Sequence, residues 1–376
     1  MTGIKPSKEH FRILDGIRGV AILLVMLFHV EGLLPSSRYF FVLHKMAWFG
    51  WTGVDLFFVL SGFLITGILL DTKHAANYFG SFYARRVLRI FPLYYGALTA
   101  IVILSHFSYT VQSQLPPHIA CDFLYVSNWT DPFTPITKLG LTGHFWTLAV
   151  EEQFYLLWPF CVWMAEPKRL RMACIYGVLI ACGLRCAMVI GSINQDLIYK
   201  ALFTRMDTLL VGALVAIAIR EGSTLSTLRP YLGRAAGILA VVTFGVPAAT
   251  HHVIYSHVSA YFQTIGYSLT AATYGVWILW AYSRCDSPHL LPQILRSRLL
   301  TQVGRYSYGM YVYHIPIVGA LLYLFDYRHK LSIAVLLFPV TFLVALASYR
   351  LYESRLLELK ERFEPRYETV YFNSIE

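Results

Sequence analysis

Residues 14–29 read Leu14-Asp15-Gly16-Ile17-Arg18-Gly19-Val20-Ala21-Ile22-Leu23-Leu24-Val25-Met26-Leu27-Phe28-His29. The stretch opens an apolar run long enough to enter a bilayer, yet it carries an arginine and a histidine. Ionisable groups at membrane depth are rare and costly, so such a pair is read as functional by default. On an α-helix the spacing from Arg18 to His29 is about three turns, which puts both side chains within roughly 20° of one face and about 16 Å apart along the axis. The pattern predicts Arg18 near one membrane surface and His29 much deeper on the same side.

Outward from that stretch, composition sets the class. Of the 376 residues 57% are hydrophobic and 14% are charged, whereas charged residues make up about a quarter of a soluble globular domain. Apolar runs of spanning length fall near 17–34, 53–70, 88–106, 145–164, 173–191, 199–219, 235–250, 261–282, 307–325 and 331–351. The first lacks a small-residue cleavage site and reads as a true span rather than a removable signal. The expectation is one all-α polytopic membrane domain of about ten transmembrane helices over 1–352, followed by a charged cytoplasmic tail, 353–376.

The net charge of +10 is distributed as a topology signal. With the N-terminus inside, 23 of the 31 Lys and Arg residues fall in the segments 1–18, 71–90, 165–172, 220–234, 283–305 and 350–376. Only Arg38, Lys45, Lys138, Lys200, Arg328 and Lys330 are external, and Arg185 and Arg205 fall within spans. Such a bias over short loops follows the positive-inside rule and places both termini in the cytoplasm. It leaves no case for a nucleic-acid partner. The six cysteines form neither a disulfide framework nor a Cys-x-x-Cys pair. A Gly-rich phosphate loop, a His-Glu-x-x-His helix and a Gly-x-Ser-x-Gly elbow are all missing, and no metal site is expected. His251, His252 and His257 share one short external loop and read as solvated. The sequon Asn128-Trp129-Thr130 is external.

Depth arithmetic brings further ionisable residues to one level. At 1.5 Å per residue, His29 lies about 8 Å below the outer surface, and Glu151 and Glu152 of the fourth span about 9–10 Å below it. Arg205 and Asp207 enter from the same side at the start of the sixth span, and Asp55 at the start of the second. A shared polar chamber in the outer half of the bilayer accommodates them better than separate burial would. At the opposite rim, Arg85, Arg86 and Arg89 stand at the mouth of the third span, with Arg86 and Arg89 on one helical face. Guanidinium groups suit bidentate phosphate binding; contact with lipid headgroups is the plainer reading.

Together these stretches resemble acyltransferase family 3, the transmembrane O-acyltransferases that acetylate bacterial surface polysaccharides. The resemblance is carried by Leu14–Gly19 with the spacing to His29, by Gly53-Val54-Asp55-Leu56-Phe57-Phe58-Val59-Leu60-Ser61-Gly62-Phe63, and by Arg86-x-x-Arg89. It continues through Phe145-Trp146-Thr147-Leu148-Ala149-Val150-Glu151-Glu152-Gln153-Phe154-Tyr155, Arg205-Met206-Asp207 and Gly304-Arg305-Tyr306-Ser307-Tyr308-Gly309-Met310-Tyr311-Val312-Tyr313-His314. Nothing in this sequence reads as the extra periplasmic hydrolase-like domain of some members.

The resemblance implies a cytoplasmic acyl-CoA donor, most commonly acetyl-CoA, and an extracytoplasmic hydroxyl acceptor on a glycan or glycolipid. It implies a site in the bacterial cytoplasmic membrane, CoA phosphates near the arginine rim, and catalysis centred on His29 with an acidic partner from Glu151 or Glu152. In such a reaction a neutral histidine takes the proton of the attacking hydroxyl. A carboxylate beside it would fix the tautomer, with Asp15 and Arg18 as a supporting ion pair. Arg205 and the Trp146 indole are candidate donors to the oxyanion, and His314 is a candidate for the CoA path or for packing. A covalent acyl-histidine route stays open. So does a different class altogether, a transporter or flippase of a polar or lipid-linked solute.

Overall fold

A computed structural model describes residues 8–135, 138, 140–245, 247, 256–325 and 327–367. Among them the chain is helical, without strands. The longer helices are α1 (Lys8–His29), α2 (Phe41–Phe49), α3 (Thr52–Thr72), α4 (Tyr78–Phe107), α5 (Trp146–Met164), α6 (Pro167–Ile190), α7 (Leu202–Arg220), α8 (Leu232–Ala240), α9 (Tyr267–Ser283), α10 (Arg298–Arg305), α11 (Ser307–Phe325) and α12 (Lys330–Ser348).

Six helical runs among the described residues are long and apolar enough to cross a membrane: Arg38–Thr72, Tyr78–Phe107, Pro167–Ile190, Gln195–Arg220, Ser307–Phe325 and Lys330–Phe363. The other stretches expected to span are helical too, but more polar or shorter. Helix α1 carries Arg12, Asp15 and Arg18, and α5 carries Glu151 and Glu152; α8 runs on to Gly245 among the described residues, and α9, continuous with the π segment Phe262–Gly266, carries Ser268, Thr270 and Thr273. The first expected span also ends early. His29 closes α1, and the chain turns into a short 3-10 segment, Glu31–Leu33.

Glycine decides how the helices meet. At Gly16 a Cβ would stand 1.8 Å from the Leu295 carbonyl oxygen, and at Gly304 it would stand 1.7 Å from that of Asp15. The backbone of α1 therefore rests directly on the segment that leads into and through α10. The crossing of α3 with α7 is built the same way, with Gly62 against Leu209 and Gly212 against Val59. Such contacts allow close van der Waals packing where lipid supplies no hydrophobic drive between helices. A third close approach, Gly53 of α3 against the Ala21 carbonyl of α1, joins the two crossings, so that α1, α3 and α7 form one frame on which the site hangs.

The boundary expected at residue 352 falls inside continuous helix. After α12 the chain runs on through a π turn, Tyr349–Glu353, and two further short helices to Phe363. The last residues of the sequence, from 368, lie outside the described residues.

Candidate active site

The ionisable residues expected in one chamber are sorted by the fold into three groups. The first surrounds a cavity, partly open to solvent, lined by Arg18 of α1, Arg86 and Arg89 of α4, and Glu151, Glu152 and Tyr155 of α5. Arg18 Nη1 donates to Asp15 Oδ1 at 3.0 Å, the ion pair one helical turn allows. Ser61 Oγ donates to Glu151 Oε1 at 2.5 Å and accepts from Tyr155 OH at 2.9 Å, so α3 and α5 jointly hold this carboxylate. The Arg86 guanidinium lies over the rings of Tyr155 (5.6 Å) and Phe82 (5.9 Å). Among the described residues, neither Arg86 nor Arg89 is in an ion pair. Arg89 also lines a second cavity with Asp15, Arg305 and Glu353, and Arg85 a third.

The second group is three imidazoles. His29 and His314 make an edge contact with ring centroids 4.8 Å apart, and His314 and His144 another at 4.7 Å. His29 Nδ1 lies 2.8 Å from the Val25 carbonyl oxygen, and His314 Nδ1 lies 2.6 Å from that of Tyr311. A carbonyl only accepts, so Nδ1 carries the proton in both rings, and each neutral imidazole keeps its lone pair on Nε2. Neither glutamate is a hydrogen-bond partner of His29 among the described residues. The tautomer-fixing contact expected from Glu151 or Glu152 comes instead from Val25, one turn back on the same helix. His314, a candidate for the CoA path or for packing, is fully buried and belongs to this cluster.

Tyr311 joins the two groups. It lines the chamber, its ring is 5.4 Å from that of His314, and its hydroxyl donates to the His144 carbonyl at 2.9 Å beside Thr147 Oγ1 at 2.6 Å. His144, Tyr311, Tyr155 and Ser61 had been given no role from sequence. Each flanks or sits inside a quoted motif, but only the packing shows which way it faces.

The third group consists of closed ion pairs. Arg205 pairs with Asp55, and Arg185 Nη2 with Asp207 Oδ2 at 2.8 Å, all four side chains fully buried. Arg185 also donates to Ser268 Oγ (2.6 Å) and to the Thr264 carbonyl (3.1 Å). The Arg205 guanidinium stacks 4.1 Å from the Tyr267 ring centroid. Trp146 packs on Tyr199 (4.9 Å) and on Phe58 (6.3 Å), a residue of the chamber lining, without lining the chamber itself.

One loop expectation changes. His257 is packed 4.4 Å from the Tyr199 ring rather than solvated, while His251 and His252 lie outside the described residues. Asn128 of the sequon is fully buried, bonded to Gln153.

The comparisons with known proteins agree in kind. The chain is 30% identical over 370 residues to the peptidoglycan O-acetyltransferase OatA of Listeria monocytogenes, covering 93% of this chain and 56% of that protein. It is 25% identical to the O-acetyltransferase OatA of Staphylococcus aureus, covering 83% and 51%. Against the putative peptidoglycan O-acetyltransferase YrhL of Bacillus subtilis it is 26% identical, covering 81% and 48%. The chain thus spans about half the length of these relatives. No solved structure matches it. A family model described as an acyltransferase domain matches residues 11–350, and the chain belongs to that family, acyltransferase family 3.

Proposed function

We propose that the protein is an integral-membrane O-acyltransferase moving an acetyl group from cytoplasmic acyl-CoA to a hydroxyl of an extracytoplasmic glycan or glycolipid. Peptidoglycan, named for two of its relatives, is the first acceptor to try. In this reading the chain crosses the bacterial cytoplasmic membrane about ten times with both termini inside, and residues 1–352 form the acyltransferase domain.

One observation carries the reading: an imidazole whose Nε2 lone pair is left free by the Val25 contact sits behind a chamber whose mouth holds guanidinium groups without ion-pair partners. Arg85, Arg86 and Arg89 take the CoA phosphates through charge-assisted hydrogen bonds. The Arg18-to-His29 rise of about 16 Å then lets an extended thioester arm reach toward Tyr311 and the histidines. His29 Nε2 takes the proton of the acceptor hydroxyl as its oxygen attacks the thioester carbonyl carbon. When the tetrahedral centre collapses, the C–S bond breaks and His29 returns the proton to the departing sulfur, so alcohol and thioester become ester and thiol. Ser61 and Tyr155 hold Glu151 in the chamber wall, where its charge balances the arginines once the donor is spent.

The test follows labelled acetyl from acetyl-CoA with the purified protein in detergent or proteoliposomes. His29→Gln at matched folding is expected to lower transfer by about 10²–10⁴-fold, the usual worth of a positioned base. Equal transfer by both proteins would remove His29 from the chemistry. Transfer by neither, with acetyl-CoA bound, would favour the transport reading. Acetyl captured on the protein in a single turnover without acceptor would replace direct attack by an acyl-enzyme route.

A further inference from the structure

The chain beyond α12 is tied back under the start of α4. Ser81 Oγ donates to the Phe363 carbonyl at 2.7 Å, and Asn77 Nδ2 to that of Glu364 at 2.9 Å. The Arg366 amide donates to Asn77 Oδ1 (2.8 Å), the Ala76 amide to the Arg366 carbonyl (2.8 Å), and Tyr367 OH to the Asp71 carbonyl (3.1 Å). Residues 359–367 are therefore a strap across the α3–α4 turn rather than a loose tail.

That strap brings a fourth cation to the arginine rim. Lys360 and Pro365 close one side of a cavity whose other charged lining residues are Arg85, Arg86 and Arg89. The lining contains no carboxylate. Among the described residues none of the four cations is in an ion pair. Like charges gathered on one cavity wall repel, and the repulsion is relieved when an anion of several charges enters. A lone phosphate would leave most of the charge uncompensated, whereas two or three phosphoryl groups would match it. Arg86 and Arg89 also line the chamber that holds Glu151 and Glu152, so an anion here sits directly at the chamber mouth.

We propose that strap residues 359–367 complete a seat for a polyphosphate-bearing ligand, with Lys360 as its fourth cation. The inference rests on the acyltransferase reading only for the identity of that ligand, the phosphorylated nucleotide end of an acyl-CoA. The shared chemistry with an anionic lipid headgroup requires that the test separate the two.

The experiment measures binding to the full-length protein of three probes: CoA, adenosine 3′,5′-bisphosphate and inorganic pyrophosphate. Detergent free of anionic lipid is compared with nanodiscs of phosphatidylglycerol. Lys360→Ala is expected to weaken CoA and pyrophosphate about tenfold, the loss of one charge-assisted contact, and Lys360→Arg to restore them. Removing a crowded like charge should leave the melting temperature of the ligand-free protein unchanged or raised, which a purely structural lysine would not do. Untying the strap with Asn77→Ala plus Ser81→Ala is expected to reproduce the loss. Wild-type affinity in Lys360→Ala would overturn the seat while leaving the acyltransferase reading intact. Pyrophosphate bound in a Lys360-dependent way, with CoA unbound, would uphold the seat and defeat the CoA reading. Lys360-dependent stabilisation by phosphatidylglycerol, with no probe bound, would make it a headgroup site and overturn the proposal.

Discussion

Two regions of this molecule gather arginines, and they do it in opposite ways. Around α7, Arg205 and Arg185 are each locked to an aspartate, Asp55 and Asp207, with no exposure on either partner. Around the first turns of α4, Arg85, Arg86 and Arg89 line cavities and have no ion-pair partner among the described residues. A charge withdrawn from water must find a counter-charge within the fold or lose stability. A charge left at a cavity wall keeps its affinity for something that comes from outside. Pairing therefore separates the arginines that hold the protein together from those that wait for a ligand.

The comparison is broken most sharply by unpairing the first group. Arg205→Ala or Asp55→Ala leaves an uncompensated buried charge and is expected to destabilise the protein by about 3–5 kcal/mol, read as lost thermal stability in detergent. Stability equal to wild type would erase the distinction drawn between the two regions. Arg86→Ala should behave in the contrary sense. Its loss of stability is limited to about 1 kcal/mol, the scale of its contacts with aromatic rings, while acetyl-CoA binding weakens about tenfold or more. A variant that unfolds but binds normally when folded would place Arg86 with the structural group.

A smaller effect extends the comparison to acids. Asp131, in the loop between α4 and α5, is almost fully buried, and burial pushes its carboxyl up to about 7, offset in part by nearby Lys200. The folded state then holds a proton that the unfolded chain gives up near pH 4. Its contribution to stability is fully present below about pH 4 and is lost as pH rises through about 7. Asp131→Asn is expected to flatten the fall in melting temperature between those limits; an unchanged slope would mean that Asp131 ionises freely in the folded protein.

Much of the site was legible beforehand because membrane burial makes ionisable residues conspicuous. Asp15, Arg18, His29, Asp55, Glu151, Glu152, Arg205 and Asp207 stand out against apolar neighbours on cost alone. Their partners were not legible. Periodicity gives depth along one helix axis, whereas His144 and His314 meet His29 from other helices. One depth therefore looked like one chamber, and it became three clusters because α3, α5, α7 and α11 rotate their polar residues toward different neighbours. The Val25 carbonyl that sets the His29 tautomer is a backbone group, invisible to any reading of side-chain types.

What the sequence determined by itself is the helical membrane class, the placement of an arginine and a histidine three turns apart on α1, and membership of an acyltransferase family, since these depend on local composition and ordered motifs. The tertiary structure alone decided which arginines are neutralised and which remain open, which imidazoles touch, and that the chain's end returns to the arginine rim to bring Lys360 there. Charge compensation and ring contact act over a few ångströms between residues up to 287 positions apart in sequence. No period along the chain encodes that neighbourhood. It follows from close helix crossings such as those at Gly16, Gly62, Gly212 and Gly304.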